Sequence, residues 1–147
     1  MLFELAKKYS RPVLILPDTR ILALLDTGAE FPVWVGSRNL LLYAYKAIKV
    51  KDNVSFRGFG GEACGTLYRI PTFCLGDLIY PNLNVVLLED SNKPIQMILS
   101  ATMFSNMTYS INDKDKYLNV LTQPNETNIR HLEIKDSNGR LHILCNQ

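Results

Sequence analysis

Ala23-Leu24-Leu25-Asp26-Thr27-Gly28-Ala29 is the stretch on which the fold prediction depends. The apolar run that leads into it, residues 21–25, has no polar alternation, which is typical of a strand buried on both faces. Gly28 permits a tight or left-handed turn directly after the acid. A carboxylate at the end of a buried strand is costly unless its charge is used or satisfied there. The sequence therefore predicts a functional turn centred on Asp26.

A second informative segment, residues 56–65, is rich in glycine. Its centre, Gly58-Phe59-Gly60-Gly61, predicts a hairpin whose backbone could approach an extended peptide without obstruction by side chains. The segment lacks the Gly-Lys-Ser/Thr ending of a phosphate-binding loop, so nucleotide binding is disfavoured. Two interpretations of this segment are open. It is either a mobile flap, with Phe59 in contact with substrate, or a static bulged hairpin.

A third segment, Met97-Ile98-Leu99-Ser100-Ala101-Thr102-Met103-Phe104, follows a polar loop. The apolar residues predict a buried strand over 95–99. Residues 100–107 are predicted as the one short helix of the chain, with Ser100 as its N-cap.

In this order the three segments resemble the retropepsin-like aspartic proteases, which carry a single Asp-Thr/Ser-Gly motif in each chain. The resemblance rests on Leu25-Asp26-Thr27-Gly28-Ala29, the glycine-rich segment and the Ile98-Leu99-Ser100 segment, and it covers residues 13–111. Ser100 departs from the pattern, since the family usually has glycine there. Its Cβ bears on how closely this segment packs under the Asp26 turn.

The resemblance implies a mainly β fold, a retropepsin-like acid protease barrel with one short helix and a C-terminal β-hairpin extension. It implies one domain over 1–147, with a core of about 11–112 and an extension over 113–147. Asp26 would be catalytic, and Thr27, Gly28 and Ala29 would support its loop. The implied substrate-binding and flap residues are Glu30, Gly58, Phe59, Gly60 and Gly61. For Glu30, a solvent-exposed strand residue is an equal alternative.

The implied activity is that of an aspartic endopeptidase, in which two carboxylates share a proton and activate water for attack on a peptide bond. Asp18, Asp52, Asp77 and Asp90 all lack the following Thr/Ser-Gly, so no partner for Asp26 is visible within the chain. The second carboxylate is therefore expected from another copy, with Asp26 facing Asp26′ in a symmetric homodimer. By the same resemblance, the chain termini interleave, with 141–145 as the candidate strand. The alternatives are an inactive dimer that binds peptides and a plain β interaction module.

The composition and net charge argue against nucleic-acid-binding and membrane proteins. The 147 residues are 47% hydrophobic and 20% charged, which is typical of one globular domain. A formal net charge of +2, from 16 basic and 14 acidic residues, gives no field that would favour nucleic acid or an anionic membrane. No apolar run is long enough for a signal sequence or a membrane span, so a soluble, cytoplasmic protein is expected.

Metal and cofactor sites are not predicted. The three cysteines, Cys64, Cys74 and Cys145, lack paired spacing, so reduced and mostly buried thiols are expected rather than disulfides or a zinc site. His131 and His142 are expected at the surface, without a third ligand nearby. The predicted partners are a peptide or protein substrate and a second copy of the chain.

Local patterns predict most elements of secondary structure. Residues 2–9 are predicted as a short amphipathic helix, and 37–45 are ambiguous between a helix and a loop. The predicted strands are 13–16, 21–25, 48–54, a series of short strands over 67–88 broken at Gly76-Asp77 and Pro81-Asn82, and 117–121. A terminal hairpin is predicted over 129–135 and 140–145, around Asp136-Ser137-Asn138-Gly139.

Overall fold

The structure, a computed structural model, describes residues 1–58, 61–88, 94–121, 129–137 and 140–146. These ranges contain twelve strands, one α-helix and one 3-10 helix, so the predicted mainly β fold is confirmed. No helix in the described ranges is long and apolar enough to cross a membrane. The elements in chain order are β1 (Leu2–Glu4), β2 (Val13–Ile15), β3 (Leu22–Asp26), β4 (Val33–Trp34), α1 (Arg38–Ala44), β5 (Ile48–Gly58), β6 (Gly61–Leu75), β7 (Leu78–Leu87), β8 (Ile95–Ser100), the 3-10 helix (Ala101–Phe104), β9 (Thr108–Asn112), β10 (Tyr117–Leu121), β11 (His131–Ser137) and β12 (Arg140–Asn146).

The strands form two sheets. Nine strands make the larger sheet in the order β11-β12-β5-β6-β7-β4-β8-β3-β2, and the smaller sheet has the order β1-β10-β9. The pairings of the described strands leave β11 and β2 as edges, so they do not close a barrel. The predicted hairpin of β2 and β3 is present, and it delivers Asp26 to the end of β3.

The position of β8 determines how the chain crosses the sheet. It lies between β3, to which it is parallel, and β4, to which it is antiparallel. Both β3 and β8 therefore end at the side of the sheet where β4 begins. The connection from β3 to β4, residues 27–32, consequently passes over the end of β8. This crossing brings the residues after Asp26 close to those after Ser100.

Two apolar clusters cover the faces of the larger sheet. On β4, Trp34 belongs to the main cluster and Val33 to the second; on β8, Leu99 and Ile98 divide in the same way. Because successive side chains of a strand point to opposite faces, the two clusters lie on opposite sides of the sheet. The second cluster contains Ala29, Phe31, Val33, Val54, Leu67, Val86 and Ile98.

The strand before Asp26 is less buried than predicted. Ala23 and Leu25 are buried, but Leu22 and Leu24, on the other face of β3, are only half-buried. The prediction of a strand covered on both faces is thus wrong for the single chain. The apolar run reflects one fully buried face and one partly covered face.

The predicted N-terminal helix is wrong, because this segment forms β1. It pairs antiparallel with β10, which places Phe3 opposite Leu118. Phe3 and Leu5 are buried, whereas Leu2 is 65% exposed, so the residues alternate as in a strand. Pairing with a strand more than a hundred residues away overrides the local preference of this short segment.

The α-helix of the described chain lies at 38–44, where the sequence was ambiguous, and not at 100–107. Ser37 caps it, with its Oγ accepting a hydrogen bond of 3.4 Å from the Leu40 N–H. The predicted helix at 100–107 is reduced to a four-residue 3-10 helix. Ser100 precedes that helix but makes no side-chain cap bond, because its hydroxyl is bonded to Thr102.

Two long strands replace the predicted series over 67–88. The turn at Gly76-Asp77 is confirmed, and Gly76 has a φ of +58°, a conformation that favours glycine. The predicted turn at Pro81-Asn82 is wrong, since Pro81 pairs with Thr72 within the ladder of β6 and β7. Among the described strands, β4 pairs with β7 only at 86–87. No described strand therefore needs a backbone N–H from β7 at position 81, so proline, which lacks that N–H, is tolerated there.

The C-terminal extension is joined to the larger sheet. The predicted terminal hairpin is confirmed by the pairing of β11 with β12, although residues 138 and 139 of its turn lie outside the described ranges. The Arg130 N–H donates a hydrogen bond of 2.7 Å to the Ile79 carbonyl oxygen, and its guanidinium donates to the Ser105 carbonyl oxygen. These bonds tie the extension to β7 and to the end of the 3-10 helix.

Candidate functional site

The turn after β3 closes on the Asp26 carboxylate. The Gly28 N–H donates a hydrogen bond of 2.9 Å to Asp26 Oδ1, and the Ala29 N–H donates one of 3.1 Å to the Asp26 carbonyl oxygen. The predicted tight turn is therefore present. Gly28 is not in the left-handed region. It provides space instead, because a Cβ at this position would lie 3.3 Å from Asp26 Oδ1.

The Asp26 carboxylate is only partly satisfied within its own chain. Among the described residues, its Oδ2 accepts no hydrogen bond and Asp26 forms no ion pair. Asp26 is half-buried, and Thr27 and Gly28 beside it are exposed. One carboxylate oxygen is thus oriented by the turn, and the other is available to water or to a second molecule.

Ser100 lies next to Asp26 in the sheet, because the two are paired in the register of β3 and β8. It is fully buried, and its Oγ lies 2.7 Å from Thr102 Oγ1. Thr102 Oγ1 in turn donates a hydrogen bond of 3.0 Å to the Glu30 carbonyl oxygen. The Ser100 side chain is therefore accommodated beside Asp26, and its hydroxyl is hydrogen-bonded.

The glycine-rich segment forms the hairpin of β5 and β6. Gly58 pairs with Gly61, and Phe59 and Gly60 between them lie outside the described ranges. The second apolar cluster places Val54 and Leu67 of this hairpin with Ala29 and Phe31, which follow the Asp26 turn. The base of the hairpin is therefore packed against the segment that leaves the turn.

Gly65 allows β6 to approach β7 closely at the base of this hairpin. A Cβ on Gly65 would lie 2.5 Å from the Leu87 carbonyl oxygen and 2.7 Å from Val86 Cγ1. Because one of these atoms belongs to the backbone, the contact cannot be relieved by a side-chain rotation. The glycine is thus required by the spacing of the two strands.

Two further predicted site residues, Ala29 and Glu30, follow the turn and differ in burial. Ala29 is buried, and it packs in the second apolar cluster. Glu30 is exposed, as its alternative as an exposed strand residue predicts, but it lies after the turn and outside any strand, so the strand part of that alternative is wrong. Its contact in the site is made by its carbonyl oxygen. Sequence reasoning missed Thr102; the spacing of two hydroxyls in Ser100-Ala101-Thr102 was the available signal.

No three His, Cys, Asp or Glu residues of the described chain lie together in a way that could hold a metal ion. His131 is exposed. Cys64 and Cys74 are free thiols, and Cys64 is exposed where a buried thiol was expected.

No protein-family model matches the sequence, and no curated protein matches it at a significant level. In three dimensions the chain is similar to the crystal structure of a retropepsin-like aspartic protease from Rickettsia conorii, with 14% sequence identity and a TM-score of 0.48. The likeness covers 82% of this chain and 92% of that chain. It is a likeness of overall fold, and it assigns no role to any residue of this chain.

Proposed function

We propose that the chain is an aspartic endopeptidase that acts as a symmetric homodimer. The observation that carries the proposal is the Asp26-Thr27-Gly28-Ala29 turn, in which the Gly28 N–H holds Oδ1 at 2.9 Å and leaves Oδ2 without a partner in the described chain. A carboxylate oriented by its own backbone and open on one side is suited to bind a water molecule or a second carboxyl group.

The reaction needs two such groups. One ionised carboxylate accepts a proton from the attacking water, while a protonated carboxyl donates to the oxygen of the peptide carbonyl. Two carboxyl groups in close contact cannot both ionise, so sharing one proton supplies both forms at the same pH. In the proposed dimer, Asp26 of each copy provides one member of this pair. A two-fold axis makes the pair symmetric without a second motif in the chain.

The exposed residues beside Asp26 fit this arrangement. Thr27 is exposed next to the turn, so its hydroxyl is free to meet the other copy across the axis. The hairpin of β5 and β6 would cover the substrate as a flap, with Gly58, Phe59, Gly60 and Gly61 at its tip. Glu30, exposed after the turn, would bind the backbone amides of the peptide.

The strand proposed to join two copies, residues 141–145, belongs to the terminal hairpin. Along its length β12 pairs with β11, and it meets β5 at Arg140. This strand therefore has one edge filled by its own chain. The proposal of a homodimer stands on the need for a second carboxylate and not on that choice of strand.

The test is incubation of the purified chain with a mixed peptide library, with and without a peptidic inhibitor that carries a hydroxyl at the scissile position. The proposal predicts cleavage, read by mass spectrometry, and its loss when the inhibitor is present. Tight binding of the inhibitor without cleavage would instead identify a peptide-binding dimer. Neither cleavage nor binding would leave a β interaction module in which Asp26 only closes a turn.

A further inference from the structure

We propose that Ser100 and Thr102 are positioning residues for Asp26, because their hydroxyls form a relay that fixes the exit of the Asp26 turn. The inference rests on the proposed peptidase function, since a positioning residue needs a reaction to serve. It adds to that function two residues outside the Asp-Thr-Gly motif. One of them, Ser100, stands where the resembling family has glycine.

The direction of the relay follows from counting hydrogens. A threonine hydroxyl has one hydrogen, and Thr102 Oγ1 uses it in the 3.0 Å bond to the Glu30 carbonyl oxygen. The hydrogen in the 2.7 Å contact between Ser100 and Thr102 must then come from Ser100 Oγ. The buried Ser100 hydroxyl therefore donates to Thr102, and Thr102 donates to Glu30. This order fixes the rotation of the Thr102 hydroxyl.

The relay completes a set of restraints on the turn. The entry is fixed because Asp26 is paired beside Ser100 at the ends of two parallel strands. The middle is fixed by the bonds from the Gly28 and Ala29 N–H groups to Asp26. The exit, at Glu30, has the relay as its hydrogen-bonded connection to the end of β8. Both ends of the turn are thus attached to the same strand, β8.

Because Ser100 is buried, its hydroxyl needs a hydrogen-bond partner within the protein. Among the residues whose side-chain burial the structure describes, Ser100 is the one buried polar residue apart from aromatic ones. A buried hydroxyl without a partner is destabilising, so its bond to Thr102 is a condition for serine at this position. A glycine at position 100 would leave Thr102 without the donor that orients it. Serine is therefore expected to outperform glycine in this chain, although glycine is usual in the family.

The consequence for catalysis concerns geometry. Two carboxyl groups and a water molecule react efficiently only when they are held in a near-attack arrangement, and a displacement of about 1 Å can cost about a hundredfold in rate. Loosening the exit of the turn would displace the Asp26 carboxylate in both copies. The loss should appear mainly in kcat, because Ser100 is buried and does not reach the substrate. A smaller rise in KM is expected through Glu30, which the relay holds and which is proposed to bind the peptide.

The test uses four variants and one matched control. Ser100→Ala and Ser100→Gly remove the first hydroxyl, and Ser100→Ala combined with Thr102→Val removes both without leaving a buried hydroxyl unpaired. Thr102→Ser keeps the relay. The control, Thr19→Val, removes a threonine hydroxyl that bonds Tyr45 at 2.9 Å, before the start of β3 and away from the Asp26 end. Each variant is measured for kcat, KM, thermal midpoint and amide exchange at Gly28 and Ala29.

We expect kcat to fall about tenfold or more in the double variant and less in the single Ser100 variants, with KM within about twofold. Exchange of the Gly28 and Ala29 amides should become about fivefold faster. Thr102→Ser and Thr19→Val should match the wild type in kcat and in the exchange rates of the two amides. Unchanged kcat in the folded double variant would overturn the inference.

Failure of the proposed peptidase function can be distinguished from failure of the relay. If the wild-type chain cleaves no peptide, the peptidase assignment fails and amide exchange alone decides whether the relay holds the turn. Faster exchange at Gly28 and Ala29 in the double variant, but not in Thr19→Val, would support the relay. Equal exchange in all variants would overturn it.

Discussion

Asp26 and Ser100 lie opposite each other at the ends of two parallel strands, β3 and β8. The connection from Asp26 to β4 passes over the end of β8, so the residues that follow each member of the pair also meet. Thr102 bonds the Glu30 carbonyl oxygen at this crossing. A turn that carries one carboxylate is thus held on one side by the end of β8 and on the other by the 3-10 helix that follows it.

Replacing Asp26 by asparagine should abolish activity and leave the fold intact. The asparagine Oδ1 can still accept the Gly28 N–H, so the turn should close as before. The substituted group cannot exchange a proton with water, and the loss should be at least about 10²- to 10⁴-fold in kcat. The measurement is peptidase activity alongside the thermal midpoint of unfolding.

Asp18→Asn is the matched control for this substitution. Asp18 is also followed by a threonine but lacks the glycine, and it lies exposed in the turn before β3. Its replacement should leave activity unchanged. Full activity in Asp26→Asn would exclude Asp26 as the catalytic acid.

The hairpin of β5 and β6 should close on bound peptide. Amides of residues 58–65 are expected to exchange quickly in the free protein and to slow markedly when a peptidic inhibitor binds, because a flap is ordered by its ligand. The β6–β7 turn at Gly76 offers an internal reference, since it is remote in sequence from the glycine-rich tip. Equal protection of residues 58–65 with and without inhibitor would show that the hairpin is static.

Gly65→Ala should destabilise the fold without removing any group of the site. The new Cβ would meet the Leu87 carbonyl oxygen at 2.5 Å, so β6 and β7 must move apart. Overpacking of this kind costs typically about 1–3 kcal/mol in the free energy of unfolding, measurable by denaturant titration. Arg69→Ala, on an exposed position of the same strand, should change it by less than about 0.5 kcal/mol. Equal stability of the two variants would contradict the close approach.

The sequence was sufficient to predict the structure where the determining residues lie next to one another in the chain. The apolar run with Asp26-Thr27-Gly28 predicted a strand that ends in a tight turn, because a short apolar segment and a glycine act within a few residues. The terminal hairpin around Asp136-Ser137-Asn138-Gly139 was equally readable from its turn residues.

The sequence was insufficient where distant partners decide the structure. Residues 2–4 form a strand because they pair with β10, and no pattern within the segment indicates that partner. The relay through Thr102 depends on the crossing of 27–32 over β8, which only the sheet order reveals. Pro81-Asn82 suggested a turn, but its effect depends on whether another strand needs the edge of β7 at that point.

The central claim, that each active site uses Asp26 from two copies, is tested most directly by mixing wild-type and Asp26→Asn chains. The chains are combined at a fixed total concentration, unfolded and refolded together so that pairs form at random, and assayed as the wild-type fraction is varied. If both carboxylates are required, only pairs of two wild-type chains are active. Activity should then follow the square of that fraction and fall to about a quarter at an equal mixture. A linear decline, with about half of the activity at an equal mixture, would mean that each chain acts with its own Asp26 alone and would contradict the account.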